Sequence, residues 1–191
     1  MSTPGSVPAR AAFDDGSKFS FPTAVAAVGT RLFVVADATL FVTTDGTVLQ
    51  QVATDLGVTP FVDPTSIAPA ADTLYFFGAT PERGMELFRT QTVAGTEKAV
   101  LIADMTPGSD DSFFSGGIVT SGARAYFLRY DVMFGILGDP VLWESDGLPS
   151  DTHPVSLVGG AAPTIERLSR AAGGKVFAAA GVAAKAVGAP G

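Results

Sequence analysis

The chain has no cysteine and a single histidine. The first absence excludes disulfides, thiolate metal sites and a cysteine nucleophile. It leaves the compartment open, because a cysteine-free fold is stable in either redox environment. Charge is also sparse, with 12 Lys and Arg scattered singly among 19 Asp and Glu, for a net charge of −7. No basic stripe exists to neutralise phosphates, so nucleic acid is not an expected partner and neither is an anionic membrane surface. No transmembrane segment is expected: the alanine-rich end, Val176 to Val187, is too short to span a bilayer and holds Lys185. Residues 1–20 carry Asp14 and Asp15 and no apolar core of signal-peptide length. Either the protein is not exported by that route, or the chain is a mature or excised piece.

What is present is apolar and rich in turns. Hydrophobic residues make up 47% of the 191, with 22 Gly and 13 Pro, which is too apolar for a disordered chain and long enough for one domain with a core. Four short apolar runs follow small turns: Arg31-Leu-Phe-Val-Val, Thr73-Leu-Tyr-Phe-Phe, Arg124-Ala-Tyr-Phe-Leu and Lys175-Val-Phe-Ala-Ala. Leu32, Leu74, Ala125 and Val176 are 42, 51 and 51 residues apart, a period typical of solenoids and propellers. Each run is bounded by turn residues and reads as a strand.

The pattern predicts four strands per repeat. The first copy has strands at 23–28, 31–37, 39–44 and 47–53. The second has 66–69, 73–79, 85–90 and 98–103, and the third 117–120, 124–130, 141–145 and 153–158. The fourth has only 164–169 and 175–180. Asp45-Gly46 reads as a two-residue hairpin turn with positive φ at both positions. The strands are apolar on consecutive positions, as in Leu40-Phe41, Leu87-Phe88 and Leu142-Trp143, so both faces of each sheet need cover. An all-β, propeller-like fold meets that need, with three complete four-stranded blades and one partial blade. A β-sandwich is the alternative. The repeats span about 21–63, 64–113, 114–162 and 163–181 of a single domain, with 182–191 as a flexible tail.

A longer motif recurs, and its fullest copy is Glu86-Leu87-Phe88-Arg89-Thr90-Gln91, then Ala94-Gly95-Thr96, then Asp104-Met105-Thr106-Pro107-Gly108-Ser109. This motif resembles that of the ELWxxDGT family of bacterial repeats. The third copy keeps Leu142-Trp143-Glu144-Ser145-Asp146-Gly147, and the first keeps Leu40-Phe41-Val42-Thr43-Thr44-Asp45-Gly46-Thr47. The second copy lacks Asp-Gly and is one residue short, so its turn differs. The resemblance covers roughly 13–181. It implies a β-propeller-like fold and an extracellular or cell-surface location, and it supplies no catalytic residues. Residues 11–19 resemble the end of a repeat. They are expected to pair with the C-terminal half-repeat, or else the chain is part of a longer propeller whose open edges favour self-association.

Several residues carry possible chemistry. His153 lies near Asp151, Ser145, Ser150 and Ser156, but no Gly-x-Ser-x-Gly elbow accompanies it. Paired carboxylates would suit a glycosidase, yet Asp45, Asp63 and Asp146 sit at turn positions that favour Asp for local reasons. The oxygen-rich loop Asp104-Met-Thr-Pro-Gly-Ser-Asp-Asp-Ser112 is the calcium candidate, through Asp104, Asp110 and Asp111, although its spacing is not that of an EF-hand. Gly173-Gly-Lys175 lacks the residues of a phosphate loop. Trp143 occupies the aromatic position of the repeat and reads as core. The inserts fall at 80–84, 131–139 and 159–163. The 131–139 insert is unusually apolar, and Met133, Phe134, Ile136 and Leu137 form either an interaction patch or an extended hairpin. The sequence therefore favours a non-catalytic binding or cell-surface scaffold module for a protein or glycan partner. A carbohydrate-active enzyme, a glycoside hydrolase or lyase with carboxylates at the propeller mouth, is the alternative.

Overall fold

The computed structural model describes residues 12–13, 21–133, 136–155, 164–170 and 175–181. Its strands fall into four sheets in chain order. The first contains β2 (Pro22–Val28), β3 (Arg31–Ala36), β4 (Thr39–Thr43) and β5 (Val48–Gln51), with β1 (Ala12–Phe13) at its edge. The second contains β6 (Phe61–Val62), β7 (Ala68–Pro69), β8 (Leu74–Thr80), β9 (Gly84–Val93) and β10 (Thr96–Ala103). The third contains β11 (Phe113–Ser121), β12 (Arg124–Met133), β13 (Ile136–Ser145) and β14 (His153–Pro154), and the fourth β15 (Thr164–Arg170) and β16 (Val176–Gly181). Pairing is antiparallel except where β1 joins β5. Among the described residues the only helical turn is Pro149–Asp151, and no helix is long and apolar enough to cross a membrane.

The fold is all-β with a repeated sheet architecture, and the repeat is visible in which way each side chain points. Phe33 and Val35 of the first sheet pack on Leu74 and Phe76 of the second. Tyr75 and Phe77, on the opposite face of β8, pack on Ala125 and Phe127 of the third. Tyr126 and Leu128, opposite again, pack on Ile165 and Leu168 of the fourth. Equivalent positions of the repeat thus face the same way, which explains the consecutive apolar residues. Alternating side chains supply both faces, and each face meets a neighbouring sheet. The aromatic rings tighten the second junction, with Phe77 stacked on Phe114 at 3.8 Å and edge-on to Phe127 at 5.9 Å.

Polar contacts cross the same junctions. The Tyr75 hydroxyl donates to the Ala123 carbonyl at 2.8 Å, and burial pushes its pKa up to about 12. The Thr120 hydroxyl donates to the Pro69 carbonyl at 2.6 Å. Arg31 reaches from the first sheet to Glu97 of the second at 2.8 Å. Gly117 lies against the second sheet's entry loop, where an added Cβ would meet the Thr65 carbonyl oxygen at 2.7 Å.

Three sequence expectations need correction. Residues 12–13 do not pair with the C-terminal half-repeat; they lie parallel to Val48 and Leu49 in the first sheet. The first strand of the second repeat is split. Asp63 accepts the Thr65 N–H at 2.9 Å and turns the chain at Pro64, so β6 and β7 both pair with β8. Buried Ser66 closes the gap by accepting the Phe77 N–H at 2.8 Å. Asp45-Gly46 is not a two-residue turn, because only Gly46 has positive φ and β4 and β5 are joined by the four residues 44–47. The Asp45 carboxylate closes this wider loop by accepting the Thr47 N–H at 2.8 Å and the Val48 N–H at 3.2 Å. Those bonds, the one from Thr47 foremost, hold its pKa well below the usual carboxylate range. Paired positive φ values instead occur at Asp37-Ala38 and Ala94-Gly95, each closing a two-residue hairpin.

Ala94 has φ of +49°, a left-handed conformation that Asn tolerates better than Ala. Ala94→Asn is expected to raise stability by about 0.5–1 kcal/mol, which thermal unfolding reads as about 1–4 °C.

Candidate functional site

The calcium-candidate loop, residues 104–112, is organised by a residue that sequence reasoning did not select. Glu86 in β9 is fully buried. Its carboxylate accepts the N–H groups of Met105 at 2.9 Å and Thr106 at 3.1 Å, and the Ser112 hydroxyl at 2.8 Å. One side chain therefore ties both ends of the loop to the sheet. Burial raises the Glu86 pKa above the ordinary glutamate range, against the opposing effect of the bonds it accepts. The loop is also held by Gly84, whose φ is +60° and whose added Cβ would sit 2.4 Å from the Asp110 carbonyl oxygen.

The three calcium candidates do not converge. Asp104 forms an ion pair with Arg83. Asp111 accepts the Met85 N–H at 2.7 Å, and Asp110 lies on the exposed outer part of the loop. Among the described residues no group of three or more His, Cys, Asp or Glu side chains could hold a metal ion.

His153 is exposed, and its Nε2 lies 3.7 Å from Oε1 of Glu144, which also pairs with Arg124 at 3.0 Å. Ser145 is buried, with its hydroxyl 2.8 Å from that of Thr152 and accepting the Gly147 N–H at 3.1 Å. Asp151 belongs to the helical turn and Ser156 lies outside the described residues. The structure thus brings His153 to a glutamate rather than into a Ser-His-Asp array. Trp143 is half-buried, stacked on Phe127 at 6.4 Å and covered by the Arg129 guanidinium at 5.3 Å. Gly173 and Gly174 lie outside the described residues, as does the 159–163 insert.

The 131–139 insert is an extended hairpin. Strand β12 pairs with β11 only up to Tyr130, yet β12 and β13 continue pairing to Met133 and Ile136. A two-stranded ribbon therefore runs past the four-stranded sheet. Ile136 is 72% exposed and Leu137 52%. Met133 joins Ile136 in the ladder, and Phe134 lies outside the described residues.

A cleft of about 480 Å³ opens between the turn at 54–58 and the second sheet. Its walls include Leu56, Val58, Phe88, Ala99 and Leu101, and the polar residues Asp55, Glu82 and Arg83 line it too. No sequence motif marked it, because it joins residues 54–58 to 80–101. No family model, curated protein or solved structure matches the chain.

Glu86→Gln is expected to lower stability by about 1–3 kcal/mol, because an amide nitrogen cannot accept from the loop donors. A raised folded-state pKa means that the native state binds the Glu86 proton more tightly than the unfolded chain does. Wild-type stability relative to Glu86→Gln should therefore be greatest below the ordinary glutamate pKa and fall as pH rises through the raised value. Urea titrations of both proteins across pH 4–8 read the trend.

Proposed function

We propose that the chain is a non-catalytic binding or cell-surface scaffold module, built as a propeller-like array of ELWxxDGT-type repeats and working outside the cell. The location follows from the repeat resemblance. The array is supported by the chain-order stacking of the sheets, with equivalent positions facing the same way. The observation that carries the binding role is the β12–β13 ribbon, which leaves Ile136 and Leu137 exposed beyond the sheet. Two exposed aliphatic side chains on a paired ribbon that runs past the sheet suit a partner's apolar pocket.

A second reading, a carbohydrate-active enzyme, has one observation in its favour: Asp55 and Glu82 line the same cleft. The two readings separate on activity. The wild type and the variant Ile136→Ser/Leu137→Ser are compared on an immobilised oligosaccharide array and against a displayed peptide library. Ligands retained by the wild type and lost by the variant, with thermal stability unchanged, are the expected result. Turnover of chromogenic glycosides or unsaturated-sugar release from polysaccharides, abolished by Asp55→Asn or Glu82→Gln, would favour the enzyme instead.

A further inference from the structure

Strand β10 is the outer strand of the second sheet. Among the described residues it pairs with β9 along one side, and on the other it makes one parallel bridge, Ala53 to Lys98. There the Ala99 N–H donates to the Ala53 carbonyl at 2.9 Å. In an antiparallel ladder, residues alternate between bonding the partner strand and pointing away from it. Ala99 points away from β9, so Leu101, two residues on, does the same. Its backbone N–H and carbonyl face the side where the incoming chain has already left the sheet. That departure is fixed by the closed turn 54–58, in which the Thr54 N–H donates to the Val58 carbonyl at 2.8 Å and the Thr54 hydroxyl accepts the Val58 N–H at 3.1 Å.

The open stretch of β10 borders the cleft. Leu56 is 90% exposed, and Val58 and Leu101 are half-buried, which gives apolar walls beside an unpaired strand edge. Arg83 is committed to Asp104, whereas Asp55 and Glu82 have no ion-pair or hydrogen-bond partner among the described residues. The cleft therefore combines an open edge with aliphatic walls and uncompensated negative charge. An extended peptide satisfies an open edge through main-chain hydrogen bonds, and its alternating side chains read the two flanks.

We propose that this cleft binds an extended basic peptide segment of a partner protein, added as a short strand that pairs with β10 at Leu101, where the bulge before Ala103 ends the regular ladder. Aliphatic side chains of the peptide lie against Leu56, Val58 and Leu101, and its Lys or Arg residues face Asp55 and Glu82. The site is separate from the ribbon tip, and it stands whether or not the ribbon binds anything.

The probe is a capped heptapeptide of alternating valine and lysine, titrated into the whole chain by fluorescence anisotropy. Three controls accompany it: the same peptide with glutamate for lysine, the same peptide N-methylated at alternate residues to remove one edge of donors, and the double variant Asp55→Asn/Glu82→Gln. The valine–lysine peptide should bind, and the double variant should weaken it by about tenfold, the scale of two surface charge pairs. Methylation on the strand-facing edge should abolish binding, and the glutamate peptide should not bind. Leu101→Pro removes the outward N–H without touching the β9 ladder, and should also abolish binding if the variant folds. Failure of the valine–lysine peptide to bind would overturn the proposal. Equal binding by the methylated peptide or by the double variant would also overturn it. So would binding that is lost in Ile136→Ser/Leu137→Ser, which would assign the peptide to the ribbon. Loss of ribbon ligands alone leaves this site intact, so the two proposals fail separately.

Discussion

Face-to-face packing of successive sheets is the constraint on which everything else depends. A sheet with apolar side chains on both faces would, standing alone, expose both of them to water. Here β8 is apolar on both faces because each face has a sheet to meet: Leu74 and Phe76 toward the first, Tyr75 and Phe77 toward the third. Hydrophobic burial favours the contact without giving it direction. Direction comes from the polar groups that cross each junction, with Arg31 to Glu97 at the first and Tyr75 and Thr120 at the second. These bonds hold the backbone turns of one repeat against the next, so the register of the stack is specified as well as its adhesion.

The same economy governs the acids. Asp45, Asp63, Asp111 and Glu86 accept backbone N–H groups, and each closes a turn or pins a loop. Buried Glu86 has the largest structural task, since it joins residues 105, 106 and 112 to β9 through one carboxylate. Two features serve no such local purpose: the exposed aliphatic tip of the β12–β13 ribbon, and the acids Asp55 and Glu82, which lie in the turns at 54–58 and 81–83 and accept no hydrogen bond among the described residues.

Much of this was legible in the sequence. The runs from Leu32, Leu74, Ala125 and Val176 mark β3, β8, β12 and β16, because β-branched and aromatic residues between turn signals have few other uses. The 131–139 insert was recognisable as apolar, although only the ladder shows that it is a ribbon. Other features were hidden for physical reasons. The Asp45 turn depends on a side chain replacing backbone bonds, which the dipeptide Asp-Gly does not disclose. The split of β6 and β7 follows from a turn at Asp63-Pro64 combined with buried Ser66. Glu86 carried a signal in its place beside the Leu-Phe pair, but a charged residue there reads as surface until its three donors are located. The β10 cleft joins residues 54–58 to 80–101, and pattern reading within one repeat does not reach that far.

The stack is tightest in aromatic contact at the junction between the second and third sheets, where Phe77 and Phe114 stack at 3.8 Å with their planes 7° apart. A double-mutant cycle of Phe77→Leu and Phe114→Leu, read by equilibrium unfolding, measures that junction directly. Stacking across the sheets predicts a coupling of about 0.5–1.5 kcal/mol between the two substitutions. Effects that add within about 0.3 kcal/mol would show that the rings do not meet, and would contradict the stacked arrangement.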